Sequence, residues 1–176
     1  MNPEPTPTAR GPTPEARAQL FVQKLKRWQK HPAVMGALRC GVRELHRHRA
    51  WPFLGQLTAL DGNASLLRLY ETVGAAFGYH PLDTAAGNLG ATLARLATSS
   101  PGFERRFQAL LSAGTRDEVC DRLLPLVRAA KQRGIPVNYE RLFLDLWYWS
   151  DPVKRRWASQ FLAAVSREGS AEIGEA

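Results

Sequence analysis

The side chains that could carry metal or covalent chemistry are few and do not form a recognisable set. The two cysteines are Cys40 and Cys120, and His46 and His48 follow the first of them. A structural zinc site needs four ligands, and no second cysteine or carboxylate nearby completes the set. Histidines at i and i+2 also lie on different faces of a helix. The sequence therefore predicts no metal site, and no cysteine or histidine stands in a nucleophile motif.

The carboxylates and glycines give no better case for catalysis. The run Thr115-Arg116-Asp117-Glu118 is predicted to form a capping box at a helix start, and capping explains both carboxylates. Asp145 is predicted to pair with Arg141, one helical turn before it. The run Gly87-Asn88-Leu89-Gly90 lacks the Lys-Ser/Thr that follows it in a phosphate-binding loop. We therefore predict no enzyme, no catalytic residue and no cofactor.

The basic residues are the chemistry that remains. The 176-residue chain has 24 Lys and Arg against 16 Asp and Glu, a formal net charge of +8 and a pI near 10.1. Residues 17–50 carry nine basic side chains and one acidic residue, Glu44, and residues 103–157 carry eleven basic and seven acidic side chains. This excess favours a polyanionic partner. Arginine outnumbers lysine 19 to 5, which suits phosphate binding but would also follow from an arginine-rich codon bias.

Three basic clusters are the main candidates for contact with nucleic-acid phosphates. They are Arg39 with Arg43, Arg105 with Arg106, and Lys154-Arg155-Arg156. Further candidates on the helix that Thr115 opens are Arg116, Arg128 and Lys131. Clusters on helices would hold phosphates by many point contacts without reading bases. Two alternatives remain open, a solvated helix surface and a basic surface that docks acidic protein surfaces.

The elements that would position these residues are all predicted to be helices. Apolar residues recur at helical spacing through most of the chain, and no stretch alternates with a period of two. Helix starts are indicated by capping residues at Thr13, Thr115 and Asn138, and Gly134 marks a helix end. We expect an all-α fold, a single-domain helical bundle of roughly seven to nine helices over residues 15–165.

Two terminal segments are expected to lie outside that domain. Residues 1–14 include five prolines and little apolar surface, which predicts a disordered tail. Residues 166–176 are small, polar and acidic, which predicts a frayed tail. No apolar run is long enough to cross a membrane, and two cysteines are too few for a disulfide framework. We therefore expect a reducing, cytoplasmic location.

The second predicted helix would carry a basic stripe. Arg39, Arg43 and Arg47 are spaced at i, i+4 and i+8, and Leu45 would lie on the buried face. Four of the five tryptophans are spaced as core residues, and Trp51 is the one candidate in a loop for stacking on a base.

Short motifs recur in order from about residue 17 to residue 165 and are densest after residue 86. They are Ala37-Leu38-Arg39, Gly87-Asn88-Leu89-Gly90, Leu93-Ala94-Arg95-Leu96-Ala97, Glu104-Arg105-Arg106-Phe107, Leu110-Leu111, Gly134-Ile135-Pro136-Val137-Asn138-Tyr139 with Leu142 and Asp145-Leu146, and Val153-Lys154-Arg155-Arg156-Trp157 with Phe161. In this order and spacing the chain resembles the CasB family, the small subunit of the type I-E CRISPR surveillance complex called Cascade.

The resemblance implies an all-helical protein without catalytic activity, present as a head-to-tail pair beside other Cascade subunits and a guide RNA. In that family the basic surface holds the opened target DNA, especially the displaced non-target strand, and so stabilises the R-loop. The family's basic sites fall on Arg39, Arg105, Arg106, Lys154, Arg155 and Arg156. Cys40 departs from the family pattern, in which a second arginine often follows Arg39. Leu124-Pro125 departs as well, since many members have basic residues there.

Overall fold

A computed structural model describes residues 11–97 and 102–173. Within these residues the chain forms nine α-helices and two 3₁₀ turns, and the β structure is limited to one bridge between Asp83 and Val137. The helices are α1 (Pro14–Trp28), α2 (Pro32–Arg39), α3 (Trp51–Leu54), α4 (Ala64–Tyr79), α5 (Leu89–Ala97), α6 (Phe103–Leu111), α7 (Arg116–Gln132), α8 (Tyr139–Trp147) and α9 (Asp151–Ile173). The 3₁₀ turns are Cys40–Val42 and Arg47–Arg49. The prediction of an all-α bundle is confirmed.

Helix α4 lies at the centre of the bundle. The Asn63 side chain caps its start by accepting a hydrogen bond from the N–H of Leu66, and every residue from Leu69 to Gly78 is buried. Helices α2, α7 and α8 pack around it, α1 packs on α8, and α9 lies along α5. Side chains from all of these helices meet in one apolar core. A helix that is apolar on all sides is the expected centre of a helical domain.

The predicted helix starts are confirmed because their caps are local. The side chains of Thr13, Thr115 and Asn138 each accept a hydrogen bond from a backbone N–H three residues later. One detail differs from the predicted capping box, since the Glu118 carboxylate accepts from the N–H of Gly114, at 2.8 Å, instead of from Thr115. That bond still satisfies a backbone donor ahead of the helix.

The basic stripe predicted on the second helix is wrong. Helix α2 ends at Arg39 and a 3₁₀ turn follows, so Arg43 and Arg47 do not continue its surface. Leu45, predicted to be buried, is 83% exposed. Arg39 and Arg43 therefore do not form one cluster.

The stripe is broken because this segment is held by a buried carboxylate on α4. Glu71 is 2% exposed and receives two hydrogen bonds from the Arg47 guanidinium, at 3.1 and 2.7 Å, and one from Trp51 Nε1, at 2.9 Å. The hydrogen bond to Glu71 raises the pKa of Arg47. A Cβ on Gly41 would lie 3.2 Å from the Glu71 carbonyl oxygen, so the turn runs directly against α4. Trp51 therefore begins α3 and binds Glu71, and it does not lie in a free loop.

The first and last helices bear on the predicted chain ends. Helix α1 begins at Pro14, and most of the segment predicted to be a disordered tail lies outside the described residues. Helix α9 continues to Ile173, eight residues past Val165, where the sequence predicted that the domain would end and fraying begin. No proline interrupts this stretch, so the backbone hydrogen bonds continue. None of the helices in residues 11–97 and 102–173 is long and apolar enough to cross a membrane.

Candidate nucleic-acid interface

Helices α6 and α7 form a shallow groove with a volume of about 320 Å³. Its lining is Arg106, Leu124, Pro125, Arg128, Ala129 and Gln132. Among the described residues this lining includes two arginines and no carboxylate. The guanidinium groups are therefore not neutralised by an acidic side chain of the groove, and the groove is suited to an anion.

Contacts at the C-terminal end of α4 extend this basic region. The guanidinium carbon of Arg128 lies 5.2 Å from the ring centroid of Tyr79, a cation–π arrangement that fixes the arginine beside α4. The Arg39 guanidinium donates to the carbonyl oxygen of Gly78 at 3.1 Å, where the helix dipole favours a cation. Lys131 follows Arg128 by one helical turn and is exposed. We call Arg39, Arg106, Arg128 and Lys131 the groove cluster.

The floor of the groove is apolar. Leu124 and Ala129 are partly buried, and Pro125 is exposed on the same side of α7. Single-stranded nucleic acid is bound by cations that follow its backbone and by apolar or aromatic surface under its sugars and bases. An apolar floor between two planar guanidinium groups can bind one stretch of single-stranded nucleic acid, with its phosphates on the arginines. Leu124 and Pro125, where the CasB pattern often has basic residues, supply this floor.

The second basic region is the start of α9. Lys154, Arg155 and Arg156 are consecutive, so their side chains leave the helix about 100° apart and do not share one face. The Lys154 ammonium lies 3.6 Å from Asp151 and 5.7 Å from the centroid of the Trp149 ring, and the side chain is 21% exposed. The Arg155 side chain is exposed and has no hydrogen-bond or ion-pair partner within the described part of the chain. Of the three cations, Arg155 is the most available to a ligand.

Arg156 belongs to a cluster around a buried carboxylate. Asp145 is fully buried, and its Oδ1 accepts from Arg141 Nε at 2.9 Å and from Arg141 Nη2 at 2.6 Å, which confirms the predicted pair. Its Oδ2 accepts from Trp157 Nε1 at 2.6 Å. Arg156 Nη2 lies 3.6 Å from Oδ1. Two arginines therefore share one carboxylate, and a net positive charge remains at this junction of α8 and α9.

Two other predicted residues lie apart from the groove cluster. Arg105 is exposed on α6 beside Glu104, in a separate depression that does not include Arg106. Arg43 is exposed on the extended residue after the first 3₁₀ turn. Neither side chain has a hydrogen-bond or ion-pair partner in the residues that the structure describes. Each offers a single charge and not a shared site.

Arg116 has a different environment from the other candidates. Its Nε and Nη2 donate to the carbonyl oxygens of Leu146 and Trp147, at 2.9 and 2.7 Å, and its Nη1 lies 3.4 Å from the hydroxyl of Ser65. These carbonyls are at the C-terminal end of α8, where backbone acceptors lack helical partners. These bonds commit the Arg116 guanidinium to the capping of α8 and leave it less available to phosphates.

Replacing Arg116 with alanine is expected to lower the free energy of unfolding by about 2 kcal/mol, because two charge-assisted hydrogen bonds are lost in a partly buried site. Urea unfolding followed by circular dichroism measures this loss. The salt dependence of nucleic-acid binding by the folded variant should stay as in the wild type. A variant with wild-type stability whose nucleic-acid binding depends less steeply on salt would show instead that Arg116 contacts phosphate.

No alternative chemistry emerges at the other reactive side chains. In the described ranges, no three His, Cys, Asp or Glu residues are placed to hold a metal ion. Cys40 and Cys120 are buried and unpaired. Burial raises the pKa of Cys120 to about 11, so this thiol is protonated at neutral pH and is not a nucleophile.

Sequence reasoning missed two residues of the groove region. Tyr79 holds Arg128, and Gln132 lines the groove beside it. The position of Gln132 one turn after Arg128 on α7 was an available signal. The sequence carries no signal for Tyr79, because its contact with Arg128 depends on how α4 and α7 pack.

Fold and site together define a class: small all-α proteins that present arginine and lysine on helix surfaces around an apolar groove. A sequence profile of the CRISPR-associated protein Cse2 matches residues 34–162. The chain belongs to the CRISPR-associated Cse2 family. The resemblance to CasB inferred from the sequence motifs is thereby confirmed.

Solved structures support the same assignment. A Cse2-family CRISPR-associated protein from Thermus thermophilus is 26% identical, with a TM-score of 0.72, and the match covers 84% of this chain and 98% of that chain. CasB from M. ruber is 23% identical, with a TM-score of 0.71 and coverage of 88% and 97%. A chain of a structure described as a CRISPR RNA-guided surveillance complex is 19% identical, with a TM-score of 0.75 and coverage of 91% and 99%. The last two likenesses concern the fold alone. A search of curated proteins gave no match.

Proposed function

We propose that this chain is a non-catalytic small subunit of a CRISPR RNA-guided surveillance complex, Cascade, in the cytoplasm. Its basic surface would hold target DNA, above all the displaced non-target strand, and so stabilise the R-loop. Its partners would be the guide RNA, the other Cascade subunits and a second copy of itself in a head-to-tail pair. Membership of the Cse2 family and a fold like that of a chain in a surveillance complex support this proposal.

The observation that carries the proposal is the acid-free groove between α6 and α7. Arg106 and Arg128 line it, and the cation–π contact of Arg128 with Tyr79 fixes that guanidinium before any ligand binds. Contacts of this kind position a nucleic-acid backbone and carry no base information. Sequence recognition would then come from base pairing between guide RNA and target strand.

Small binding energies are enough for this function. The RNA–DNA hybrid that forms in an R-loop is about as stable as the DNA duplex that it replaces, so opening is a near-balanced exchange. A few phosphate contacts to the displaced strand shift that balance towards the open state. A protein with fixed positive charge and no reactive group can therefore determine whether opened DNA persists.

The proposal is tested by changing Lys154, Arg155 and Arg156 together to alanine in a guide-RNA-containing assembly. We expect the lifetime of the opened DNA to fall by about tenfold, since Lys154 is mostly covered and two cations do most of the binding. The lifetime is measured by the reannealing of a fluorescent non-target strand. The helical circular-dichroism signal should not change.

The control changes Arg27 and Lys30 to alanine, which removes two exposed positive charges at the end of α1, against three in the α9 variant. An equal fall in the control would contradict the proposal, and an unchanged lifetime in the α9 variant would contradict the part of it that assigns DNA contacts to α9. Binding to acidic proteins that heparin abolishes, together with no mobility shift of single-stranded DNA, would instead identify a protein-docking module.

A further inference from the structure

The run Gly87-Asn88-Leu89-Gly90 is the motif that the proposed function leaves unexplained. Gly87 has a φ of +68°, in the left-handed region, and turns the chain into α5. The side-chain Oδ1 of Asn88 accepts from the N–H of Ala91 at 3.3 Å, so Asn88 is the N-cap of α5. These contacts explain a helix start. They do not explain the remaining atoms of Asn88, which is 3% exposed.

Those remaining atoms bind α9. The Asn88 side-chain amide donates to the backbone carbonyl of Arg156 at 3.3 Å, and the backbone N–H of Asn88 donates to Gln160 Oε1 at 2.8 Å. Arg156 and Gln160 are one helical turn apart. A single residue of the loop before α5 thus contacts two successive turns of α9, directly beneath the basic segment.

Helices α5 and α9 approach each other closely at Gly90. A Cβ placed on Gly90 would lie 2.0 Å from the carbonyl oxygen of Trp157, which is the residue after Arg156. On another side of α9, the Trp157 indole N–H donates to Asp145 of α8. Arg156 and Trp157 are therefore fixed by polar contacts from two helices, and α9 cannot rotate without breaking one of them.

We propose that Asn88 is a positioning residue for the basic segment of α9. It fixes the rotation of the helix, and thereby the directions in which Lys154, Arg155 and Arg156 leave it. Directions matter here because consecutive side chains diverge by about 100°, so the rotation of the helix decides which of the three cations faces solvent and which is covered. This inference rests on the proposed function, since it assigns a role to Asn88 only if the α9 cations bind nucleic acid.

The test is a double-mutant cycle that uses Asn88→Ser. Serine is an equally good N-cap, so α5 keeps its start, but its short side chain does not reach the Arg156 carbonyl. Binding of the full chain to a fluorescent oligo-dT strand is measured in two backgrounds, the wild type and K154A/R155A/R156A. We expect Asn88→Ser to weaken binding about fivefold in the wild type and to have almost no effect in the triple variant.

A structural role alone would give a different result, because partial unfolding would weaken binding equally in both backgrounds. An equal loss in both, or no loss in the wild type, would overturn the positioning role. A second variant, Gln160→Ala, should weaken binding in the same way and should not add to Asn88→Ser. A further outcome is that the triple variant binds as tightly as the wild type while changes in the groove cluster weaken binding. That result would contradict both DNA binding by the α9 cations and the positioning role of Asn88. It would leave DNA binding by the groove cluster supported.

Discussion

Replacing Gly90 with alanine is expected to lower the free energy of unfolding by about 3 kcal/mol. The added Cβ would lie 2.0 Å from the carbonyl oxygen of Trp157 and 2.8 and 2.9 Å from its carbonyl carbon and Cα. All three atoms are backbone, so no side-chain rotation relieves the clash, and α5 and α9 must separate. Separation would also strain the 2.6 Å hydrogen bond between the buried Trp157 indole and Asp145.

Gly36 provides the matched control for this substitution. It lies inside α2, and the nearest atom to an added Cβ is the terminal nitrogen of Arg39, at 3.7 Å, in ordinary contact. Alanine there should raise the free energy of unfolding by about 0.5–1 kcal/mol, because alanine is the better helix former. Urea unfolding of both variants gives the comparison. A Gly90→Ala variant as stable as the wild type would show that α5 and α9 do not meet this closely.

Changing Arg106 and Arg128 together to alanine is expected to weaken the binding of single-stranded DNA by about tenfold to a hundredfold. Each guanidinium can form a charge-assisted hydrogen bond to phosphate, which contributes about 1.5–3 kcal/mol, and exposure to solvent places both near or below the lower value. Fluorescence anisotropy with an oligo-dT strand at constant salt measures the change. Both side chains are exposed, so the fold should not change.

The control for the groove variant removes the same charge elsewhere. Arg27 and Lys30 are exposed at the end of α1, outside the groove lining, and have no ion-pair partner in the described part of the chain. Their replacement by alanine should weaken binding by no more than about twofold, through the general loss of positive potential. Equal losses in the two variants would mean that net charge, and not the groove, determines affinity.

The parts of the fold that could be predicted depend on neighbours in sequence. Thr13, Thr115 and Asn138 cap their helices through contacts three residues away, so the local pattern is sufficient. The pairing of Arg141 with Asp145 also follows from spacing within one helix.

The errors concern residues whose partners are distant in sequence. Arg47 was predicted to extend a basic stripe, but Glu71, 24 residues later, holds it against α4. The isolated acidic residue in the apolar α4 was the available signal, because a buried carboxylate needs a cationic partner. Arg116 was similarly assigned to the surface, although it caps a helix that ends 31 residues later. Periodicity describes a helix surface but does not tell which neighbouring element occupies it.

The sequence predicted which basic residues belong to the candidate site but did not predict how they are grouped. Arg39, Arg106, Arg128 and Lys131 were each named from the sequence, yet their grouping depends on the packing of α2, α4, α6 and α7. The three cations of α9 form a separate region, where Lys154 and Arg156 lie close to carboxylates. The basic surface is thus divided between two places, and the described lining of the groove is the one that contains no carboxylate.

The central claim is that fixed positive charge in the groove cluster binds the backbone of an unwound strand. The most direct measurement is the affinity for oligo-dT as a function of salt concentration. With the four groove cations engaged, the logarithm of the binding constant should fall with a slope of about −3, and R106A/R128A should make that slope shallower by about 1.4. A wild-type slope near zero, or a slope that the double variant leaves unchanged, would contradict the account.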